Sequence, residues 1–125
     1  MSESRQRLGR AAESAVEDWL VGAGWRILER NVRSASGGEV DLLAVDPTRA
    51  LVAVEVRART SSRTGEASSS VDRRKALRLE RTLVAHAAAS RVPHADLRVD
   101  LVTVTPERDA PGHWRLRRIA GISGR

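Results

Sequence analysis

Gly38-Glu39-Val40-Asp41-Leu42-Leu43 and, after a short turn, Val52-Ala53-Val54-Glu55-Val56-Arg57 are the two runs that decide the fold of this chain. Each is a β-branched, alternating run that carries acids, and side chains in a strand alternate with period two. Glu39 and Asp41 therefore share a face, as do Glu55 and Arg57, while Val52, Val54 and Val56 point the other way. Carboxylates turned to one side of neighbouring strands repel unless a cation or an arginine sits between them. Such a face makes a poor core and a good divalent-metal site.

Between the two runs, Asp46-Pro47-Thr48-Arg49 is a turn with its proline well placed. Gly38 to Val45 and Ala50 to Ala58 thus read as an antiparallel hairpin. Upstream, Ala12, Ala15, Val16, Trp19, Leu20 and Ala23 fall at helical spacing, so an amphipathic helix is expected from Leu8 to Ala23, ending at the Gly22-Ala23-Gly24 break. Trp25 to Leu28 reads as a short strand and Asn31 to Gly37 as a polar turn. Downstream, Thr60 to Ser70 is a small-residue loop of a length that is usually functional or disordered. A second helix follows from about Val71 to Ser90, its inner stripe formed by Ala76, Leu79, Leu83, Val84 and Ala87. Leu97 to Thr105 alternates clearly, and Trp114 to Ile119 is a weaker strand. The expectation is one α/β domain over residues 1–125, of order α-β-β-β-α-β, with flexible tails at about 1–7 and 120–125.

The 125 residues carry a formal net charge of +6, with 22 Lys and Arg against 16 Asp and Glu, and a sequence pI near 11.4. That balance points to an anionic partner, of which nucleic acid is the commonest. Every basic residue but Lys75 is an arginine, and Phe, Tyr and Cys are absent. So lopsided a usage looks like a bias toward GC-rich codons. Base-stacking modules built on Phe and Tyr have little support. Disulfides, thiolate metal sites and cysteine nucleophiles are excluded. No apolar stretch suits a signal peptide or a membrane span, so a cytoplasmic protein without membrane contact is expected.

Hydrolysis of a phosphodiester needs an activated water, neutralised phosphate oxygens and a stabilised leaving oxygen. Mg²⁺ or Mn²⁺ held by a few carboxylates can supply all three. Asp41 and Glu55 are the candidate ligands. Glu13 is a third, because on a helical wheel it lies about 60° from Val16, at the margin of the buried stripe. Taken singly, each acid has a plainer reading as a solvated or arginine-paired residue, and Glu39 could pair with Arg57 across the hairpin. Arg59, Arg63, Arg73, Arg74 and Lys75 border the Ser/Thr-rich loop and the start of the second helix, where they suit phosphate contacts. The plainer alternative there is a solvated face. His86, His94 and His113 have no ligand spacing, and Ser68-Ser69-Ser70 lacks the glycines of a nucleophile elbow.

Leu8-Gly9-Arg10-x-x-Glu13, Gly24-Trp25-Arg26-Ile27-Leu28-x-Arg30-Asn31, Gly38-Glu39-Val40-Asp41-Leu42 and Val54-Glu55-Val56-Arg57-x-Arg59 together resemble the YraN family. These are small bacterial proteins similar to Holliday-junction resolvases, on the restriction-endonuclease-like PD-(D/E)XK fold. The likeness runs from about Leu8 to Val104, through Val71-x-x-x-Lys75 and Val99-Asp100-Leu101-Val102. It implies that Asp41 and Glu55 match the fold's metal-binding acids and Glu13 its helical acid. It also implies a departure, since the family's pattern places a lysine where this chain has Arg57. Arginine stays protonated and cannot serve as a base, although it can orient water or neutralise phosphate.

The leading expectation is therefore a Mg²⁺- or Mn²⁺-dependent endonuclease acting on structured or branched DNA, with Glu13, Asp41, Glu55 and Arg57 catalytic. The two-fold symmetry of such a junction would suit a homodimer. The alternative is a non-catalytic nucleic-acid-binding module whose site is degenerate at Arg57. A third reading is a protein-interaction domain whose charge reflects composition alone.

Overall fold

Apolar strands pair where their unpaired backbone groups would otherwise be buried, and here five of them form one mixed sheet in the order β1-β2-β3-β4-β5. The computed structural model describes residues 3–33, 38–59, 73–89 and 93–123, the side chains of 3–6 and 8 excepted. Its elements are α1 (Glu3–Gly22), β1 (Arg26–Arg33), β2 (Glu39–Val45), β3 (Ala50–Ala58), α2 (Arg73–Ala89), β4 (Asp96–Pro106) and β5 (Trp114–Ile119). The α/β class and the restriction-endonuclease-like core are as the sequence leads one to expect.

β2 and β3 form the expected hairpin, in register from Leu42–Val54 to Val45–Leu51. Its turn is held by Asp46, whose Oδ1 accepts hydrogen bonds from the Thr48 amide (2.9 Å), the Thr48 hydroxyl (2.7 Å) and the Ala50 amide (3.0 Å). β3 then pairs in parallel with β4, from Ala50–Asp96 through Ala58–Val104. A parallel pair needs a long crossover, and α2 lies within it.

The two helices cover opposite faces. Ala12, Val16 and Leu20 of α1 pack with Trp25, Leu42, Ala44, Val52, Val54, Val102 and Val104. Leu79 and Leu83 of α2 pack with Val40, Leu43, Leu51, Ala53 and Val99, and Ala76 packs on Leu101. Covered on both sides, Ala50 through Glu55 and Val99 through Val104 are buried without a break, the pattern expected of central parallel strands.

The structure differs from the sequence expectation at Val84, expected on the inner stripe of α2 but 44% exposed, and in three elements. α1 begins at Glu3, five residues before the expected start, because Glu, Arg, Gln and Leu all propagate a helix. β1 runs on to Arg33 through Asn31, which the polar composition marked as a turn. The ladder to β2 absorbs a register shift between Ile27 and Glu29 and a left-handed Asn31 (φ 52°), a conformation asparagine tolerates. Finally, Trp114–Ile119 is a full fifth strand, antiparallel to β4 from Leu101–Ile119 to Pro106–Trp114, so the order is α-β-β-β-α-β-β. Among the described residues no helix is long and apolar enough to cross a membrane.

Candidate metal centre

The site grows out of a break in the hairpin. Val40 packs on the α2 side of the sheet and Leu42 on the α1 side, so strict alternation lapses at Asp41 between them. The β2–β3 ladder stops one residue away, at Leu42–Val54. Beyond it the Val56 amide donates instead to Asp41 Oδ2, at 2.8 Å. A carboxylate thus stands in for a main-chain acceptor where the strands part. The same break leaves Glu39, the register partner of Arg33, short of any ladder contact with Arg57.

Asp41 faces Glu55, which is buried at 6% exposure. Burial, then the Glu55 charge, then a hydrogen bond shared with the Glu55 carboxyl push Asp41 up to about 7; the Val56 amide and Lys75 pull the other way. Burial beside a second carboxyl therefore keeps Asp41 protonated up to about neutrality. Glu13 approaches from α1, half-buried. Its carboxyl is also raised, first by burial and then by the fields of Asp41 and Glu39. The structure thus brings together the three acids that the sequence singled out.

Among the described residues no group of three or more His, Asp and Glu side chains has metal-holding geometry. The centre is a pair, Asp41 and Glu55, with Glu13 acting on it through the field. Hard oxygen donors whose mutual repulsion a cation would relieve fit Mg²⁺ or Mn²⁺.

Lys75 has a partner that the sequence did not foretell. It was expected among the phosphate contacts, yet from the first turns of α2 its Nζ sits 3.3 Å from Glu55 Oε2. The signal was present, since it is the one lysine among 22 basic residues. Its helical position concealed that it reaches back over β3.

Arg57 follows on the same face as Glu55. It is half-buried, and its Nε is shut from solvent with no hydrogen-bond partner among the described residues. The Arg59 amide donates to Val104 O at 2.8 Å, and Arg73 and Arg74 are exposed at the start of α2. Arg63 lies outside the described residues. His86 pairs with Glu29 at 3.1 Å, away from the site.

A second ionic cluster, not anticipated from the sequence, is structural. Asp100, wholly buried, accepts from Arg98 Nε (2.8 Å) and Nη2 (3.0 Å), Arg118 Nη1 (2.8 Å) and the Gly121 amide (3.1 Å). Arg98 also donates to Asp46 at 2.8 Å. Both guanidiniums lie over the Trp25 ring, at 5.9 and 5.4 Å. These charges are fully engaged with one another.

A family model described as "Uncharacterised protein family UPF0102" matches residues 12–104, a stretch that contains Glu13, Asp41, Glu55, Arg57 and Lys75. A UPF0102 protein of Moorella thermoacetica is 35% identical over 122 residues, 98% of this chain and 94% of that protein. One from Mycolicibacterium vanbaalenii is 39% identical over 82% of this chain and 84% of its own length. One from Methylococcus capsulatus is 40% identical over 86% and 85%.

Proposed function

This chain belongs to the UPF0102 family, and from that premise and the carboxylate pair we propose that it is a metal-dependent endonuclease hydrolysing phosphodiester bonds in structured or branched DNA. The observation that carries the reading is the buried Asp41–Glu55 pair with Lys75 against it. A fold alone does not fix a reaction; the charged groups it brings together do.

Asp41 and Glu55 would hold the ion, with Glu13 adding negative field from α1. A bound Mg²⁺ or Mn²⁺ supplies an acidified water and neutralises phosphate charge. Lys75 holds Glu55 in place and balances one of the two negative charges that form when the pair ionises. Arg57, permanently charged, suits a phosphate oxygen and cannot take a proton from water. Its buried Nε is a donor awaiting an acceptor.

The deciding experiment incubates the protein with duplex, single-stranded and four-way DNA, with and without Mn²⁺. Cleavage is expected only with metal, and Glu55→Gln is expected to lower it by at least about 100-fold, as loss of a metal ligand should. Absence of any cleavage that requires both the metal and Glu55 sinks the enzyme reading.

A second reading, a binding module without turnover, is favoured by Arg57 in the position of the expected lysine. Metal-independent binding with a steep salt dependence and no cleavage would support it. Recovery of cleavage in Arg57→Lys would show an intact but stalled site.

A further inference from the structure

Strand register brings a second set of arginines to the site from the far end of the sequence. Val56 and Ala58 of β3, Val104 of β4 and Leu116 of β5 all pack on the α1 side. The residues between them face the side that α2 covers. On that side Glu55, Leu101 and Ile119 form one row across β3, β4 and β5, and Ala76 of α2 packs on Leu101 and Ile119. The next row is Arg57, Thr103 and Arg117. Beyond it, Arg59, whose amide still bonds to β4, lies beside the pair Thr105 and Arg115. The face is apolar under α2 and turns to arginine and threonine just past the helix's first turns.

Arg115 and Arg117 are exposed, and Arg117 has a threonine, not an acid, opposite it in register. Among the described residues, Glu107 lies 3.5 Å from Arg115 Nε, and Glu55 beside the first row is held by Lys75. Arg118, one residue on, shows the contrast: it turns to the other face and is bound by Asp100 over Trp25. Strands lie about 4.8 Å apart and same-face residues about 6.8 Å along them. The Cα atoms of four arginines on one face therefore lie within a patch of roughly 10 by 7 Å, one row beyond Glu55.

We infer that this patch is a track for the sugar–phosphate backbone, with Arg117 and Arg115 of β5 as outer contacts that lead a nucleic-acid strand to the carboxylate pair. The inference rests on the nuclease reading above and adds the path of its substrate. Arginines and threonine hydroxyls are common phosphate partners, and their contacts position a strand without reading its sequence. Both outer arginines lie beyond the 12–104 stretch that defines the family match, so conclusions drawn from that match do not include them.

The test is anisotropy of labelled duplex and four-way DNA, without metal, from about 50 to 200 mM salt. Arg117→Ala is expected to weaken binding about tenfold, and Arg115→Ala with Arg117→Ala about 30-fold or more. The slope of log affinity on log salt should flatten by about one per arginine removed. Arg117→Lys should stay within about threefold, as should Arg26→Ala on the opposite edge of the sheet. Unchanged melting temperatures separate a lost contact from a lost fold. If the wild type binds and the double variant binds equally well, or if Arg26→Ala is as damaging, the track is overturned and the carboxylate site stands. A wild type that binds no DNA overturns both. Loss of binding in the double variant, without metal-dependent cleavage in the wild type, keeps the track and removes the catalysis.

Discussion

Asp41 carries two duties that pull against each other. Its Oδ2 accepts the Val56 amide where the hairpin ladder ends, which favours the charged form, while burial and Glu55 favour the neutral one. The neutral form prevails up to about pH 7, so the native state holds a proton that the unfolded chain has released above about pH 4. Stability from this group therefore falls as pH rises through that window. We expect the protein to melt lower at pH 8 than at pH 5 by at least about 1 kcal/mol, roughly 3 °C for a chain of this size. Asp41→Asn, which keeps an oxygen for the Val56 amide, should remove most of that difference, and Mn²⁺ should narrow it in the wild type. Calorimetry checks all three, and a flat profile in the wild type would show that Asp41 is not held neutral in the folded state. The Val56 amide shift in an NMR titration should move with the same midpoint. At this scale much was legible: strand alternation singled out Asp41 and Glu55, and the helical wheel put Glu13 at the buried margin. The pairing of Lys75 with Glu55 was not legible, because their 20-residue separation is bridged only by the crossover.

Among the elements, the hairpin was read almost to the residue, because proline, aspartate and alternating valines agree on one structure. The Asp46 side chain explains its precision, with three hydrogen bonds into its own turn and one from Arg98. Burial works against its charge, but the bonds from Thr48, Ala50 and Arg98 prevail and hold the carboxyl below its ordinary value. That contribution is present above about pH 4 and is lost as pH falls below it. Asp46→Ala should lower stability by about 2–3 kcal/mol at pH 7, read from denaturant midpoints, with a smaller effect near pH 3. An equal effect at both pH values would mean that the charge plays no part. β1 and β5 were read less well, for one reason. Both are edge strands, exposed on at least half their residues, and their polar composition resembles a turn or a tail. Pairing with an apolar neighbour, not their own propensity, makes them strands.

For the whole molecule, composition pointed to an anionic partner and the alternation of helix and strand to an α/β sheet. Neither revealed which arginines serve the fold and which are free for a partner. Arg98 and Arg118 are bound by Asp100, while Arg57 and Arg117, 60 residues apart in the chain, are brought into one row through Thr103. That assignment exists only once the sheet is assembled. β5 has one more consequence, for self-association. It is the partner that seals the edge of β4, whose Val99, Leu101, Val102 and Val104 are wholly buried. A chain cut after Pro106 would present that flat apolar strand as a naked edge, with Asp100 deprived of Arg118. Unprotected edges of this kind invite strand-to-strand pairing between molecules. Such a truncation should scatter light and sediment as aggregates at concentrations where the full chain does not, whatever the acids do with a metal.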